Sequence, residues 1–135
     1  MTDQESGARV LAIVERGYRG ALEKQFFDEL YLATELHRQL GGLDILLRGP
    51  AVTYGLRADR VPPLRIGNRT VDTVSDPRPG LRALLEAGVT VWADEPDLAA
   101  LGAAGNPDRL IEGVRIARDG ELAVRWPEYD MVCFL

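Results

Sequence analysis

The stretch Glu15-Arg16-Gly17-Tyr18-Arg19-Gly20 places two arginines and a tyrosine among closely spaced glycines. Guanidinium forks bind carboxylates, phosphates and sulfur oxyanions at two points, and glycines let backbone N–H groups approach such an anion. The same residues would also make a plain corner, with Glu15 paired to an arginine and the glycines only turning the chain. A second candidate lies in Trp92-Ala93-Asp94-Glu95-Pro96. Neighbouring carboxylates push their proton affinities apart, so Asp94 and Glu95 are weak candidates for an acid/base pair. Acidic residues also suit the first turn of a helix, and that plainer role is favoured.

Cys133 is the only cysteine and His37 the only histidine. A nucleophilic or persulfide-carrying thiol needs an accessible, electropositive setting, whereas Cys133 sits in the apolar ending Met131-Val132-Cys133-Phe134-Leu135. It is therefore kept only as a weak catalytic candidate, and an inert core position is favoured. His37 shares a helical face with Leu30, Ala33 and Leu40, which favours a packed histidine over a general base. There is no phosphate loop ending in Gly-Lys-Ser/Thr, no His-Glu-x-x-His pair and no Gly-x-Ser-x-Gly turn. One histidine and one cysteine make no His/Cys metal cluster, so no metal and no cofactor is expected.

Composition narrows the partners. The net charge of −5 disfavours nucleic acid, whose phosphates reward basic faces. Lys24 is the only lysine, so no lysine-rich stretch is available for an anionic membrane surface. No apolar run approaches the ~20 residues of a membrane span. The polar start, Met1 to Arg9, lacks the basic-then-apolar order of a secretory signal. A single cysteine suits a reducing compartment, and a cytoplasmic protein is expected.

The elements that must position these residues alternate. Ala8–Glu15 and Leu43–Arg48 are short, nearly continuous apolar runs, as strands covered on both faces require. Between them Leu22, Phe26, Leu30, Ala33, His37 and Leu40 recur at three- and four-residue spacings, predicting a helix from Arg19 to about Leu40 that ends at Gly41-Gly42. A helical turn is expected near Pro50 to Leu56. Residues 57–80 are irregular, with two short strands around Gly67-Asn68, and read as an irregular segment or insertion. A helix runs from about Pro77 to Gly88, and strands are expected in "VTVWAD", "EGVRIAR" and "MVCFL", with short helices after the first two. The expected fold is α/β: a single domain, residues 1–135, with a mostly parallel sheet of about five strands sandwiched between helices and residues 1–7 flexible.

The order "LAIVERGYRG", "LLRGPAVTYGL", "LLEAGVTVWAD", "LIEGVRIARDGEL", "YDMVCFL" resembles the DsrE/DsrF/TusD-like family of small α/β proteins over most of the chain, from Val10 to Leu135. The resemblance implies a DsrE-like sandwich and a homo-oligomer, trimeric or hexameric, or a mixed complex with a partner protein. Some members carry sulfur on a cysteine just beyond the strand that corresponds to "VTVWAD". Matching Gly102 to the glycine that ends the next helix puts that slot at or beside Asp94, and a carboxylate cannot carry sulfane sulfur. The sulfur-transfer role therefore does not come with the fold.

In open parallel sheets ligands sit beyond the carboxyl ends of the strands, near the point where strand order reverses. That edge is expected to gather Arg16, Tyr18 and Arg19 from the first loop, Arg48 and Tyr54 from the second, and Trp92 from the third. These are the expected ligand-binding residues, for a small anionic or sulfur-containing ligand or a partner protein. Phe27 and Tyr31 fall opposite the apolar helix face, and are expected to pack under residues 57–80 or in a subunit interface. The expected protein is thus a non-catalytic, oligomeric DsrE-like module. The alternative is a persulfide carrier using Cys133.

Overall fold

The computed structural model describes residues 9–15, 29–57, 64–71, 78–103 and 105–135. Five parallel strands form the main sheet: β1 (Val10–Val14), β2 (Asp44–Leu47), β5 (Thr90–Asp94), β6 (Arg115–Ala117) and β7 (Met131–Phe134), in the order β6-β5-β2-β1-β7. Between β2 and β5 a separate antiparallel hairpin pairs β3 (Leu64–Ile66) with β4 (Arg69–Val71) around the Gly67-Asn68 turn. Gly67 has φ +58°, a conformation that costs glycine nothing.

Alternation along each strand sends side chains to opposite faces, and each face has its own core. Val10, Ala12 and Val14 of β1, Ile45 and Leu47 of β2 and Val91 and Ala93 of β5 join one cluster. That cluster is completed by α1 (Glu29–Leu40), α2 (Arg78–Glu86) and α3 (Glu95–Ala100), through Leu30, Ala33, Leu81, Leu84 and Leu98. Leu11, Ile13, Leu46 and Trp92 point the other way, onto Leu122 of α4 (Glu121–Arg125) and onto Trp126 and Tyr129 beyond it. Burying each such Leu, Ile or Val side chain stabilises the fold by about 1.5–3 kcal/mol relative to leaving it in water.

The topology explains why α4 stands apart. From β1 the chain steps to β2, β5 and β6 in one direction across the sheet, with its helices on one face. It then crosses back to lay β7 beside β1. With one handedness for every crossover, a reversed step must return on the opposite face, and α4 does. Neighbouring β5 and β6 therefore send their outgoing connections to opposite sides of the sheet.

The strands, the hairpin, α2 and α3 lie where hydrophobic pattern and turn residues place them. The helix expected from Arg19 is described from Glu29 onward; its first turns lie outside the described residues. The strand expected over Glu112 to Arg118 is shorter, Arg115–Ala117, because Glu112-Gly113 forms a turn with Gly113 at φ +100°. A 3-10 turn at Pro107–Arg109, not expected from the sequence, follows Asn106, whose side chain accepts the Asp108 N–H at 3.2 Å. The expectations for residues 1–7 fall outside the described residues.

Candidate functional site

The carboxyl ends of β2, β5 and β6 meet α4 around a crevice of about 210 Å³. Its lining is Leu46, Arg48, Asp94, Asp119, Gly120, Leu122, Ala123 and Trp126. The two-residue period of a strand puts Arg48 on the same face as Leu46, and Asp94 on the same face as Trp92. Both charged residues thus emerge on the α4 side, just above the apolar core of that face. Asp119 comes from the turn between β6 and α4, closed by Gly120 at φ +76°. The crevice lies where the outgoing connections of β5 and β6 part to opposite faces, the place at which open α/β sheets leave room for a ligand.

Arg48 leaves β2 with its backbone N–H donating to the Val14 carbonyl at 2.9 Å, which continues the β1–β2 ladder. Its guanidinium lies 3.7 Å from the Glu15 carboxylate, with both side chains more than a third exposed. A pair so exposed is worth at most about 1 kcal/mol, so Arg48 can exchange Glu15 for another anion at small cost. The pairing of Glu15 with an arginine, expected as the plainer role of that residue, is made with Arg48.

Asp94 closes β5 and stands at the N-cap of α3, but its side chain makes no cap bond. Its carboxyl instead hydrogen-bonds the Asp97 side chain, one helical turn on. Burial pushes the Asp94 pKa up to about 6, the Asp97 hydrogen bond and the Asp97 and Asp119 charges push the same way, and Arg48 opposes them. While Asp94 is protonated it can donate to Asp97, whose carboxyl also accepts the Gly49 N–H. The favoured role of the acidic residues, at a helix start, is met by Glu95 and Asp97 in the first turn of α3, and it is Asp97 that meets Asp94. The spacing Asp-x-x-Asp across a helix start was the available signal, as in a capping box.

Tyr54 and Trp92, both expected among the ligand-binding side chains, are 2% and 6% exposed. Trp92 is packed in the α4-side core, and the Arg125 guanidinium lies 5.7 Å from its ring centroid. Tyr54 is packed in the cluster on the opposite face of the sheet, and neither ring lines the crevice. Trp126, not singled out in the sequence, takes the aromatic place at the crevice, and its indole Nε1 is buried with no hydrogen-bond partner among the described residues. Arg16, Tyr18, Arg19 and Phe27, and the side chain of Tyr31, lie outside the described residues. Cys133 is half-buried on β7, packed against the larger core cluster, and burial raises its thiol pKa. His37 is half-buried, with Nδ1 enclosed and without a partner, on the helix face where packing was expected.

A broader groove of about 360 Å³ lies at the opposite edge, lined by Glu86, Thr90, Glu112 and Arg115 among others. It sits at the amino ends of β5 and β6, and no topological feature converges on it. Among the described residues, no group of three or more His, Cys, Asp or Glu side chains is placed to hold a metal ion, and no helix is long and apolar enough to cross a membrane.

No family model and no curated protein matches the sequence. Solved structures do match. The ychN protein from E. coli superposes with a TM-score of 0.68 at 25% identity, over 96% of this chain and 99% of that one. The protein of unknown function MTH1491 from Methanobacterium thermoautotrophicum superposes with a TM-score of 0.62 at 17% identity, over 93% of this chain and 98% of that one. Both neighbours have the DsrE-like fold. With its parallel five-stranded sheet and flanking helices, this chain is a single-domain α/β protein of DsrE-like fold.

Proposed function

We propose that this protein is a non-catalytic DsrE-like module that binds a small ligand bearing an anionic group in the crevice beyond β2, β5 and β6. The observation that carries this reading is the position of Arg48. It is a half-exposed cation, weakly engaged by Glu15, lining a half-open crevice at the point where the sheet's connections diverge. At about 210 Å³ the space is below the ~300–1,000 Å³ of pockets for drug-sized molecules, which restricts the ligand to metabolite size. Among the described residues no nucleophile adjoins the crevice, and the Asp94–Asp97 pair reads as a structural tie. A carboxylate at Asp94 carries no sulfur, and the half-buried Cys133 thiol lies on β7, an edge of the sheet separated from β2 by β1.

The module is proposed to act as a homo-oligomer. Met131 and Phe134 of the edge strand β7 are exposed at 44% and 59%, on a strand whose outer edge carries no partner among the described residues.

Isothermal titration with thiosulfate and with inorganic sulfate tests the ligand reading. Arg48→Ala is expected to abolish binding while leaving the urea unfolding midpoint nearly unchanged. Equal affinity in wild type and Arg48→Ala would remove the crevice as an anion site.

A further inference from the structure

We propose that the ligand of this crevice is a zwitterion of α-amino-acid type, its carboxylate on Arg48 and its ammonium between Asp94 and Asp119. The inference rests on the crevice reading above and names the class of molecule that reading leaves open. A site built for a simple anion would surround it with cations and N–H donors, because a carboxylate beside a bound anion repels it. Among the described residues this lining holds one guanidinium and two carboxyls, from the carboxyl ends of three strands. A ligand of one sign meets at least one like charge here, whereas a ligand with both signs separated by a few bonds satisfies both walls.

The remaining lining suits the rest of such a molecule. Ala123 and Trp126 provide an apolar wall, and an aromatic ring accommodates either an aliphatic chain or a thioether. Arg48 is held in reserve by Glu15 at 3.7 Å, a contact that a ligand carboxylate can replace with a two-point fork. With a pKa of about 6, Asp94 is largely ionised at neutral pH. An ammonium placed beside it meets a carboxylate and supplies the donor that its own proton provides at acid pH.

The test is a titration at neutral pH with three probes of one skeleton: L-methionine, N-acetyl-L-methionine, which lacks the ammonium, and L-methioninamide, which lacks the carboxylate. Methionine is expected to bind, and each derivative to bind at least about 10-fold more weakly, since each loses one charge-assisted contact. Arg48→Ala should remove the advantage of methionine over the amide, and Asp94→Asn should shrink its advantage over the N-acetyl compound. If N-acetyl-L-methionine, thiosulfate or sulfate binds as tightly as methionine and still depends on Arg48, the zwitterion inference is overturned while the anion-binding reading stands. If none of these probes shows Arg48-dependent binding, both fall.

Discussion

Asp97 accepts the backbone N–H of Gly49 at 2.8 Å, tying α3 to the turn after β2. The bond lies directly behind the crevice, because Asp97 is also the side-chain partner of Asp94. Gly49 meets two more demands at once. Its φ of +54° belongs to the left-handed region, and a Cβ placed there would sit 3.4 Å from the Glu15 carbonyl oxygen. One residue thus ties the end of β1, at Glu15, to the turn after β2 and to α3, and with them the spacing of Arg48 from Asp94.

Removing either side of this tie should loosen the crevice and cost stability. Asp97→Ala leaves the Gly49 N–H without its acceptor and should destabilise the protein by about 1–3 kcal/mol. Gly49→Ala should cost about 1–2 kcal/mol through its left-handed backbone alone. Urea unfolding followed by circular dichroism measures both. A loss under about 0.3 kcal/mol in both variants would mean that the loops are held by something other than this bond.

Asp94 gives the fold a signed pH dependence. The folded protein keeps its proton up to about pH 6, whereas an unfolded aspartic acid releases it near 4. Between those values the native state binds more protons than the unfolded chain, so stability falls as pH rises through the window. The full shift overstates the effect because the carboxyl is partly solvated, and roughly 1 kcal/mol is the expected loss after allowing for screening. Asp94→Asn, which can still donate to Asp97, should match wild type at acid pH and exceed it by about that amount above neutrality. Denaturation at a series of pH values would show the two curves separating; parallel curves would mean that Asp94 is not the group responsible.

Most of the architecture could be read from periodicity. "LAIVE" and "DILL" are apolar on both sides because helices cover both faces, and Gly88 and Gly102 stop helices where the pattern breaks. Arg48 and Asp94 could be assigned to the ligand edge because each follows a buried strand. What the sequence did not show was depth. Tyr54 and Trp92 have the composition of binding residues, yet burial is set by which face they take and what crosses above them. For Trp92 that is α4, returning on the far side of the sheet. Trp126 was passed over because a short helix with a proline after it has no clear period, and the crossover that carries it over β2 and β5 is a property of strand order. Asp97 was missed for a similar reason: its contact with Gly49 spans 48 positions.

Cys133 should behave as a protected thiol. Burial raises its pKa, so little thiolate is present at neutral pH, and thiolate is the reactive form. Reaction of the native protein with a disulfide reagent such as Ellman's should be roughly 10-fold or more slower than in urea-unfolded protein, where the site is open. Cys133→Ala should leave Arg48-dependent binding intact, and incubation with a persulfide donor should add no sulfur mass to the wild-type chain. A stable +32 Da adduct on Cys133, about the mass of one sulfur atom, would instead support a carrier with its cysteine displaced to the sheet edge.

The edge strand makes the last prediction. Met131-Val132-Cys133-Phe134 contains no proline, glycine or charge, the devices by which exposed strands resist pairing. Alternation sends Met131 and Phe134 to opposite faces of β7, so a subunit laid along this edge covers apolar surface on both sides of the sheet. Each side chain so buried contributes about 1.5–3 kcal/mol to association, before the cost of ordering is subtracted. Met131→Lys with Phe134→Glu should therefore convert an oligomer to a smaller species in native mass spectrometry. The unfolding free energy extrapolated for the isolated chain should stay within about 0.5 kcal/mol of wild type, because both side chains are already exposed in the single subunit. A wild-type protein that remains monomeric at tens of micromolar would overturn the oligomer reading, and a double variant with unchanged subunit number would move the interface away from β7.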